Sequence, residues 1–396
     1  MKRVAASLTL VLFVAPACSA PPEATPENTN LSSTFTTTTT TTVTTTPAIP
    51  DPDIVVEGAP PELVDLIRAL YGLAGEGPEP LAPRGLIDAF AASEGTPPSE
   101  ARAAVARWDE EWELGVVEAD GDVTLAVADP EWRVVGGWWP SMEVGRRLGK
   151  FPKLIAVVGS DARPKERRDE TRTDSIHFVG IDGEGAAGVV GVPRDAWVAL
   201  PGRGNSRINA ALVFGGTSLM MDTFTEVSGL DFDGYLLTGF AGFESLIGIL
   251  GGLDLDVPMR FDDDSAKAYF DAGRQLLDPA QALGFTRARK TLPAGDFQRQ
   301  EHGGLAIMAA QVMVRAMGLL ALPDLVAASR PHVSTDMDPA ELLMLAAAVA
   351  KVRPENVVNA VAPGRTGMAG SASVVFLTDG ADDLFADLAD GTLADN

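Results

Sequence analysis

The chain has 396 residues, of which 46% are hydrophobic, and a formal net charge of -24 at pH 7. This length and composition suffice for one sizeable core, or for a main domain with a smaller companion, so disorder throughout is excluded. The negative charge would repel a phosphate backbone, which argues against nucleic-acid binding as a general function, and any anion site needs a local cluster of basic residues. Cys18 is the only cysteine, which excludes an intramolecular disulfide and a cysteine-based structural zinc site.

Residues 1–18 have the features of an export signal. Two basic residues precede an apolar stretch at residues 5–17, which is shorter than the roughly 20 residues of a transmembrane span. Small residues then lead to Cys18 in an order that resembles a bacterial lipobox, in which the cysteine is lipidated. We expect Cys18 to anchor the protein to the outer face of the cell membrane. The alternative is an ordinary signal peptide with an incidental cysteine and secretion into the cell wall.

Residues 19–52 are rich in proline, threonine and serine, with an almost pure threonine run at residues 36–46. Such a segment cannot bury enough apolar surface to offset the entropy lost on ordering. We therefore predict a disordered linker, which either holds the folded part off a membrane or is a passive spacer.

Residues 53–141 are predicted to form a small α+β accessory region. Apolar residues at helical spacing predict a helix over residues 62–71, and an Ala- and Arg-rich stretch after two prolines predicts another over residues 99–112. Residues 123–127 and 132–139 read as strands. Five tryptophans form either a carbohydrate-stacking surface or, as is more common, core filler: Trp108, Trp112, Trp132, Trp138 and Trp139.

The main domain begins at about residue 150 with an apolar run, residues 154–158, that predicts a strand in a sheet covered on both faces. This strand leads to Asp161, and Asp174 precedes a second apolar strand over residues 175–181. Carboxylates near the ends of adjacent strands can share a divalent cation such as magnesium, which prefers oxygen ligands. Surface ion pairs with neighbouring arginines are the alternative.

A third apolar strand, residues 185–192, leads to Arg194, so three strands carry charged residues at one end. Farther along, Thr217 is a plausible N-cap for a helix that ends at Val227. A local concentration of arginines follows at residues 287–299, where an otherwise acidic chain can bind an anion.

The order of these motifs resembles the LytR-CpsA-Psr family over residues 154–318, with weaker agreement to residue 391 and little before residue 150. The resemblance implies an α/β catalytic domain over residues 150–391, with a mixed central sheet flanked by helices. We expect the protein to come from an actinobacterium. It rests on the following motifs: Gly159-Ser160-Asp161, Arg172-Thr173-Asp174, Pro193-Arg194-Asp195, Ile208-Asn209-Ala210-Ala211, Phe214-Gly215-Gly216 and Gly295-Asp296-Phe297-Gln298-Arg299.

The resemblance implies a magnesium-dependent enzyme that transfers a glycan phosphate from a polyprenyl-pyrophosphate carrier to a hydroxyl of peptidoglycan or a related wall polymer. Asp161 and Asp174 match the magnesium-associated aspartates, and with Arg194 and Arg289 they form the expected catalytic set. No general base is assigned. The arginines expected to bind the pyrophosphate are Arg172, Arg194, Arg207, Arg287, Arg289 and Arg299. The polyprenyl tail is expected between sheet and helices, with candidate wall residues at 219–221, 224 and 240–250.

Three positions depart from the family pattern. Arg207 replaces a usual lysine, Gly303 replaces a usual glutamine that would bind the head group, and His302 stands where a basic residue is common. One alternative, to which Gly303 points, is a non-catalytic polyprenyl-phosphate or cell-wall binding protein. Another is a hydrolase of the carrier pyrophosphate, in which water replaces the acceptor hydroxyl. A transcriptional regulator is disfavoured by the export signal and the acidic charge. We expect a monomer.

Overall fold

The computed structural model describes residues 54–72, 81–163 and 166–394. The predicted export signal, the lipidation site at Cys18 and the linker over residues 19–52 lie outside the described residues.

The described residues form nineteen strands and nine α-helices. The strands are β1 Val55–Glu57, β2 Glu100–Arg107, β3 Glu113–Ala119, β4 Asp122–Ala128, β5 Trp132–Trp139, β6 Val144–Arg147, β7 Lys153–Ser160, β8 Thr173–Ile181, β9 Ala187–Gly191, β10 Trp197–Leu200, β11 Gly204–Arg207, β12 Gly234–Thr238, β13 Leu253–Val257, β14 Phe261–Asp263, β15 Ala268–Phe270, β16 Gly273–Leu277, β17 Val357–Val361, β18 Gly364–Ala369 and β19 Ala372–Leu377. The helices are α1 Pro61–Tyr71, α2 Arg84–Ala91, α3 Ala211–Ser228, α4 Phe240–Ile249, α5 Pro279–Arg287, α6 Asp296–Met317, α7 Leu322–Ser329, α8 Pro339–Lys351 and α9 Asp379–Leu388.

The accessory region is a six-stranded sheet in the order β1-β2-β3-β4-β5-β6, in which only the first pair is parallel. The predicted helix over residues 62–71 is confirmed as α1, which buries Leu63, Ile67 and Leu70 against one face of this sheet. The predicted strands are confirmed as β4 and β5. The opposite face of the sheet packs against α7 and α8.

The helix predicted over residues 99–112 is wrong, because residues 100–107 form strand β2. Its alanines and arginines favour a helix locally, but Arg102 to Arg107 pair with β3, whose Val116 and Val117 suit a buried strand. Tertiary pairing therefore overrides local propensity. Three of the five tryptophans are core: Trp132, Trp138 and Trp139 are 7%, 9% and 0% exposed.

The central sheet has the order β12-β7-β8-β9-β17. Strands β7, β8 and β9 are antiparallel to one another, while β12 is parallel to β7 and β17 is parallel to β9. One face packs on α3 and α9 and the other on α6, α7 and α8, so the mixed sheet flanked by helices is confirmed. Since the three predicted strands alternate in direction, the end of β7, the start of β8 and the end of β9 share one edge.

Helix α3 is interrupted near its start, because Gly215 and Gly216 have non-helical backbone angles and Gly216 has a φ of 68°. Regular helix resumes at Thr217, where the sequence predicts a helix start. Within the described residues, no single helix is long and apolar enough to cross a membrane, and only the bent pair formed by α6 and residues 319–332 passes a test of length and composition.

Candidate active site

A cavity of about 1680 Å³ opens where the end of β7, the start of β8 and the end of β9 meet, and it extends between the central sheet and the helices α4 to α8. Its polar end is lined by Asp161, Arg163, Asp174, Arg194, Asp195, Arg287, Arg289, Lys290, Asp296 and Arg299. Its interior is apolar and is lined by Phe240, Phe243, Leu246, Ile247, Leu250, Leu283, Ile307, Ala310, Val314, Leu325, Val326, Met337, Leu342, Leu345, Ala346 and Val349. The cavity therefore joins a charged entrance to a long apolar chamber.

The antiparallel sheet brings Asp161, Asp174 and Arg194 to this entrance. The register of β7 and β8 is regular up to Gly159 and then shifts, so that Asp174 is the extra residue of a bulge. Bulges re-aim side chains, and here both Asp174 and the next residue, Ser175, line the cavity. The backbone of Arg172 closes the hairpin, because its N–H donates to Asp161 Oδ1 at 3.1 Å.

Four charged side chains form a ring of ion pairs at the entrance. Arg194 Nη1 lies 2.5 Å from Asp174 Oδ2, and Arg194 Nε lies 3.8 Å from Asp296 Oδ1. Arg299 pairs with Asp296 and lies 4.0 Å from Asp174. Burial lowers the pKa of Arg299. Burial also opposes the charge of Arg194, but its pKa is raised overall by the ion pair and hydrogen bond with Asp174.

A second group of cations lies between α5 and α6. Arg287 is exposed and stacks over the ring of Phe240 at 4.5 Å, while Arg289 and Lys290 face the same cavity. Among the described residues, no carboxylate forms an ion pair with these three cations, so they give the entrance a local positive charge within a strongly acidic chain. Lys290 is not among the site residues predicted from the sequence.

Asp263, at the end of β14, positions this group of cations. Its Oδ2 accepts the backbone N–H groups of Arg289 and Lys290, each at 2.9 Å, and its Oδ1 accepts from Ser265. Burial alone would raise the pKa of the Asp263 carboxyl, but the hydrogen bonds from Ser265 and from the backbone hold it well below its usual range. Asp263 is not among the predicted site residues, because no motif marks a carboxylate that contacts the cationic residues only through their backbone N–H groups.

Two of the predicted pyrophosphate ligands do not line the cavity. The side chain of Arg172 is exposed, and only its backbone contacts Asp161. Arg207 donates from Nη2 to the carbonyl of Ser373 at 2.7 Å and pairs with Asp195 at 3.3 Å. It therefore connects the β18–β19 hairpin to the edge of the sheet. The other four predicted arginines, Arg194, Arg287, Arg289 and Arg299, all line the cavity.

The predicted apolar wall divides between two places. The long side chains of α4, from Phe240 to Leu250, line the cavity. Those of α3, including Met220 and Phe224, are buried in the core on the opposite face of the central sheet. His302 also lies away from the entrance, since its ring stacks on Phe285 with centroids 4.2 Å apart. Burial lowers the pKa of His302 to about 4, so it supplies no positive charge at neutral pH.

The two aspartates are the groups that fit a magnesium ion. Among residues 54–72, 81–163 and 166–394, no three His, Cys, Asp or Glu side chains are grouped to hold a metal by themselves. Magnesium, however, usually takes one or two carboxylates together with water and phosphate oxygens. One oxygen of Asp161 and one of Asp174 accept no hydrogen bond from the described residues, and the buried hydroxyls of Ser160 and Thr173 have no partner there. This donor set suits a hard cation completed by a phosphate ligand.

Residues 141–387 match the model of the LytR_cpsA_psr family. The chain belongs to this family. A polyisoprenyl-teichoic acid–peptidoglycan teichoic acid transferase, TagU of Bacillus anthracis, is 32% identical over 160 residues, which cover 40% of this chain and 51% of that protein. TagU of Enterococcus faecalis is 30% identical over 154 residues, which cover 38% of this chain and 50% of that protein. The chain thus spans about half the length of these relatives.

The crystal structure of Bacillus subtilis TagV superimposes with a TM-score of 0.53 and 24% identity, covering 62% of this chain and 99% of that chain. This likeness establishes the LytR-CpsA-Psr fold for the main domain. The relatives named here come from Bacillus and Enterococcus, so they do not support the expected actinobacterial source.

Most of the accessory sheet precedes the LytR-CpsA-Psr match, yet it reaches the cavity through one described side chain, Trp108. Trp108 lies on the hairpin between β2 and β3, and the guanidinium of Arg330 stacks over its ring at 5.5 Å. Arg330 also pairs with Asp109 at 3.1 Å. The accessory sheet therefore contributes to the cavity wall as well as covering α7 and α8.

Proposed function

We propose that this protein transfers a glycan phosphate from a polyprenyl-pyrophosphate carrier to a hydroxyl of peptidoglycan or a related wall polymer. The observation that carries the proposal is the single cavity that joins a basic entrance to a long apolar chamber. At about 1680 Å³ it exceeds the roughly 300–1,000 Å³ of ordinary small-molecule pockets, which suits a long hydrocarbon tail. A lipid pyrophosphate combines such a tail with a highly charged head.

The cations at the entrance have distinct roles in this proposal. Arg194 and Arg299 are held in place by Asp174 and Asp296, so they present fixed guanidinium groups whose planar geometry suits phosphate oxygens. Arg289, Arg287 and Lys290 bring additional charge without a carboxylate partner among the described residues. Phosphoryl transfer depends mainly on positioning and on stabilising negative charge, which is what such a cluster supplies.

In the proposed reaction, the acceptor hydroxyl oxygen attacks the phosphorus that carries the glycan. The new oxygen–phosphorus bond forms the phosphodiester, the pyrophosphate bridge breaks, and polyprenyl phosphate leaves with the bridging oxygen. The hydroxyl proton passes to solvent, since no side chain is assigned as general base. Asp161 and Asp174 would hold the magnesium ion, which neutralises charge on the pyrophosphate when it is bound.

The proposed location is the outer face of the cell membrane. The export signal and the cysteine at position 18 support a lipid-anchored protein, with residues 19–52 as the tether, and secretion into the wall is the alternative. The cavity entrance then has access to a carrier lipid in the membrane and to the acceptor in the wall. We propose that one copy of the chain suffices, because both halves of the site come from one unit.

A transfer assay tests this function. The purified protein is incubated with magnesium, a radiolabelled polyprenyl-pyrophosphate glycan and peptidoglycan oligomers. We expect label on the oligomer, and a loss of about 100-fold for Arg289→Ala, because removing one charge-stabilising donor costs on the order of 10²- to 10³-fold. Arg274→Ala is the matched control, since Arg274 is exposed and pairs with Asp254 at 2.7 Å away from the cavity.

The same assay separates the alternatives. Label released as free sugar phosphate identifies a hydrolase of the carrier pyrophosphate. Binding of the labelled lipid without turnover of any kind identifies a non-catalytic carrier-binding protein. Either result rejects the transferase.

A further inference from the structure

The cavity wall beside Asp174 includes His177, which fills the space that a side chain at position 303 would need. A Cβ atom built on Gly303 would lie 2.7 Å from His177 Nε2 and closer still to its Cε1. His177 is only 1% exposed, and its ring is held in this position by a hydrogen bond to the backbone of Gln300. The side chains of residues 177 and 303 cannot both fill this space, and in this chain His177 on strand β8 occupies it.

The hydrogen bonds of His177 determine which ring nitrogen carries the proton. Nε2 lies 2.8 Å from the backbone carbonyl oxygen of Gln300, and a carbonyl can only accept, so Nε2 donates. Burial lowers the pKa of His177 to about 4, so the ring is neutral at pH 7. Nδ1 therefore has no proton and acts as an acceptor.

This tautomer determines the orientation of the Ser175 hydroxyl. Ser175 Oγ lies 3.2 Å from His177 Nδ1 and must donate its single proton to that nitrogen. Its oxygen keeps two lone pairs, and Ser175 lines the cavity next to Asp174. An oxygen that has already used its proton is a poor partner for phosphate oxygens and a good partner for a hydroxyl group.

Building on the proposed function, we propose that Ser175, oriented by His177, accepts a hydrogen bond from a sugar hydroxyl of the substrates at the entrance of the cavity. Ser175 makes this contact from strand β8. In the same region, residue 303 on helix α6 is a glycine and offers no side chain. Ser175 is the contact residue and His177 is a positioning residue. The hydroxyl belongs either to the wall acceptor, as the attacking group, or to the glycan of the donor.

Ser175→Ala tests the contact, and Ser175→Thr, which keeps a hydroxyl, is its control. Removing one neutral hydrogen bond is expected to lower kcat/KM for transfer about five- to tenfold, whereas the threonine variant stays within about twofold. If the hydroxyl belongs to the acceptor, the acceptor kinetics change and the Kd of the donor does not. If it belongs to the donor, the Kd of the glycan-bearing donor rises, while polyprenyl pyrophosphate without glycan binds as before. Both patterns support the proposal, and it is overturned if no rate or affinity changes by more than about twofold.

A second measurement does not depend on activity, so a failure of transfer by the native chain is distinguishable from a failure of this inference. Nitrogen-15 NMR of the imidazoles at pH 7, assigned by comparison with His177→Asn, reports the protonated nitrogen directly. We expect a neutral ring with the proton on Nε2. A proton on Nδ1, or a charged ring, would leave Ser175 free to donate and would overturn the proposal even in an active enzyme.

Discussion

Replacing Gly303 with alanine should destabilise the protein, although alanine normally favours a helix. The added Cβ would lie 2.7 Å from His177 Nε2, well inside the roughly 3.5–4.0 Å of a relaxed contact, and the ring is buried. To make room, the imidazole must give up its hydrogen bond to Gln300. Overpacking costs about 1–3 kcal/mol and the lost bond about 1 kcal/mol, against a helix gain of about 1 kcal/mol. We expect a net loss of about 2 kcal/mol.

Urea unfolding of four proteins checks this reasoning: the native chain, Gly303→Ala, His177→Ala and the double variant. Removal of the imidazole also removes the clash, so the double variant should lose less than the sum of the two single losses by about 1–3 kcal/mol. Gly85→Ala in α2 is the matched control, because no atom lies within 4 Å of a Cβ built there. If the loss in the double variant equals the sum of the two single losses to within about 0.5 kcal/mol, a side chain at residue 303 does not clash with His177 and the reasoning is refuted.

Four further outcomes are expected. Asp296→Asn leaves the buried guanidinium of Arg299 without its nearest carboxylate, so the free energy of unfolding should fall by about 3 kcal/mol. Added inorganic pyrophosphate should then raise the Tm of this variant more than that of the native chain. Asp263→Asn should lower transfer about tenfold by releasing the backbone of Arg289. Because the pKa of Asp263 is depressed in the folded protein, the Asp263 carboxylate stabilises the fold at neutral pH and stops doing so as the pH falls below about 4, and thermal melts of the native chain and the variant can follow this loss. The pKa of His302 falls from about 6.5 in the unfolded chain to about 4, so stability should decrease as the pH is lowered through this interval, and less so in His302→Phe. Chelation of magnesium should abolish transfer and leave Tm unchanged in the absence of donor, and transfer that persists in chelator would remove the metal from the mechanism.

The strand edge that holds the site could be predicted from the sequence. Short, continuous apolar runs ending at Asp161 and Arg194, and starting after Asp174, are buried strands in the structure, and their charged ends meet. The sequence did not reveal that β7, β8 and β9 are antiparallel, which is the reason the start of one strand lies beside the ends of two others. The positions were therefore predictable, whereas the chemical roles remain predictions.

Other parts of the site depend on contacts that no local pattern encodes. Residues 100–107 have the composition of a helix, and only pairing with β3 makes them a strand. Asp263 acts through backbone N–H groups 26 and 27 residues away, so its spacing to Arg289 carries no motif. Gly303 looked like the loss of a polar group, because the sequence cannot show that His177 on a distant strand fills the same space.

Helix α6 links the two ends of the cavity, which makes its packing functionally important. Its first turn carries Arg299 at the charged entrance, its middle packs through Gly303 on His177, and its later turns contribute Ala310 and Val314 to the apolar chamber. A helix moves as a rigid element over this length, so a shift that relieves crowding at Gly303 also displaces the groups before and after it. A packing change at the sheet should therefore alter binding of both the head group and the tail of a lipid donor. Ser175→Ala leaves the helix in place and should affect only the hydroxyl contact.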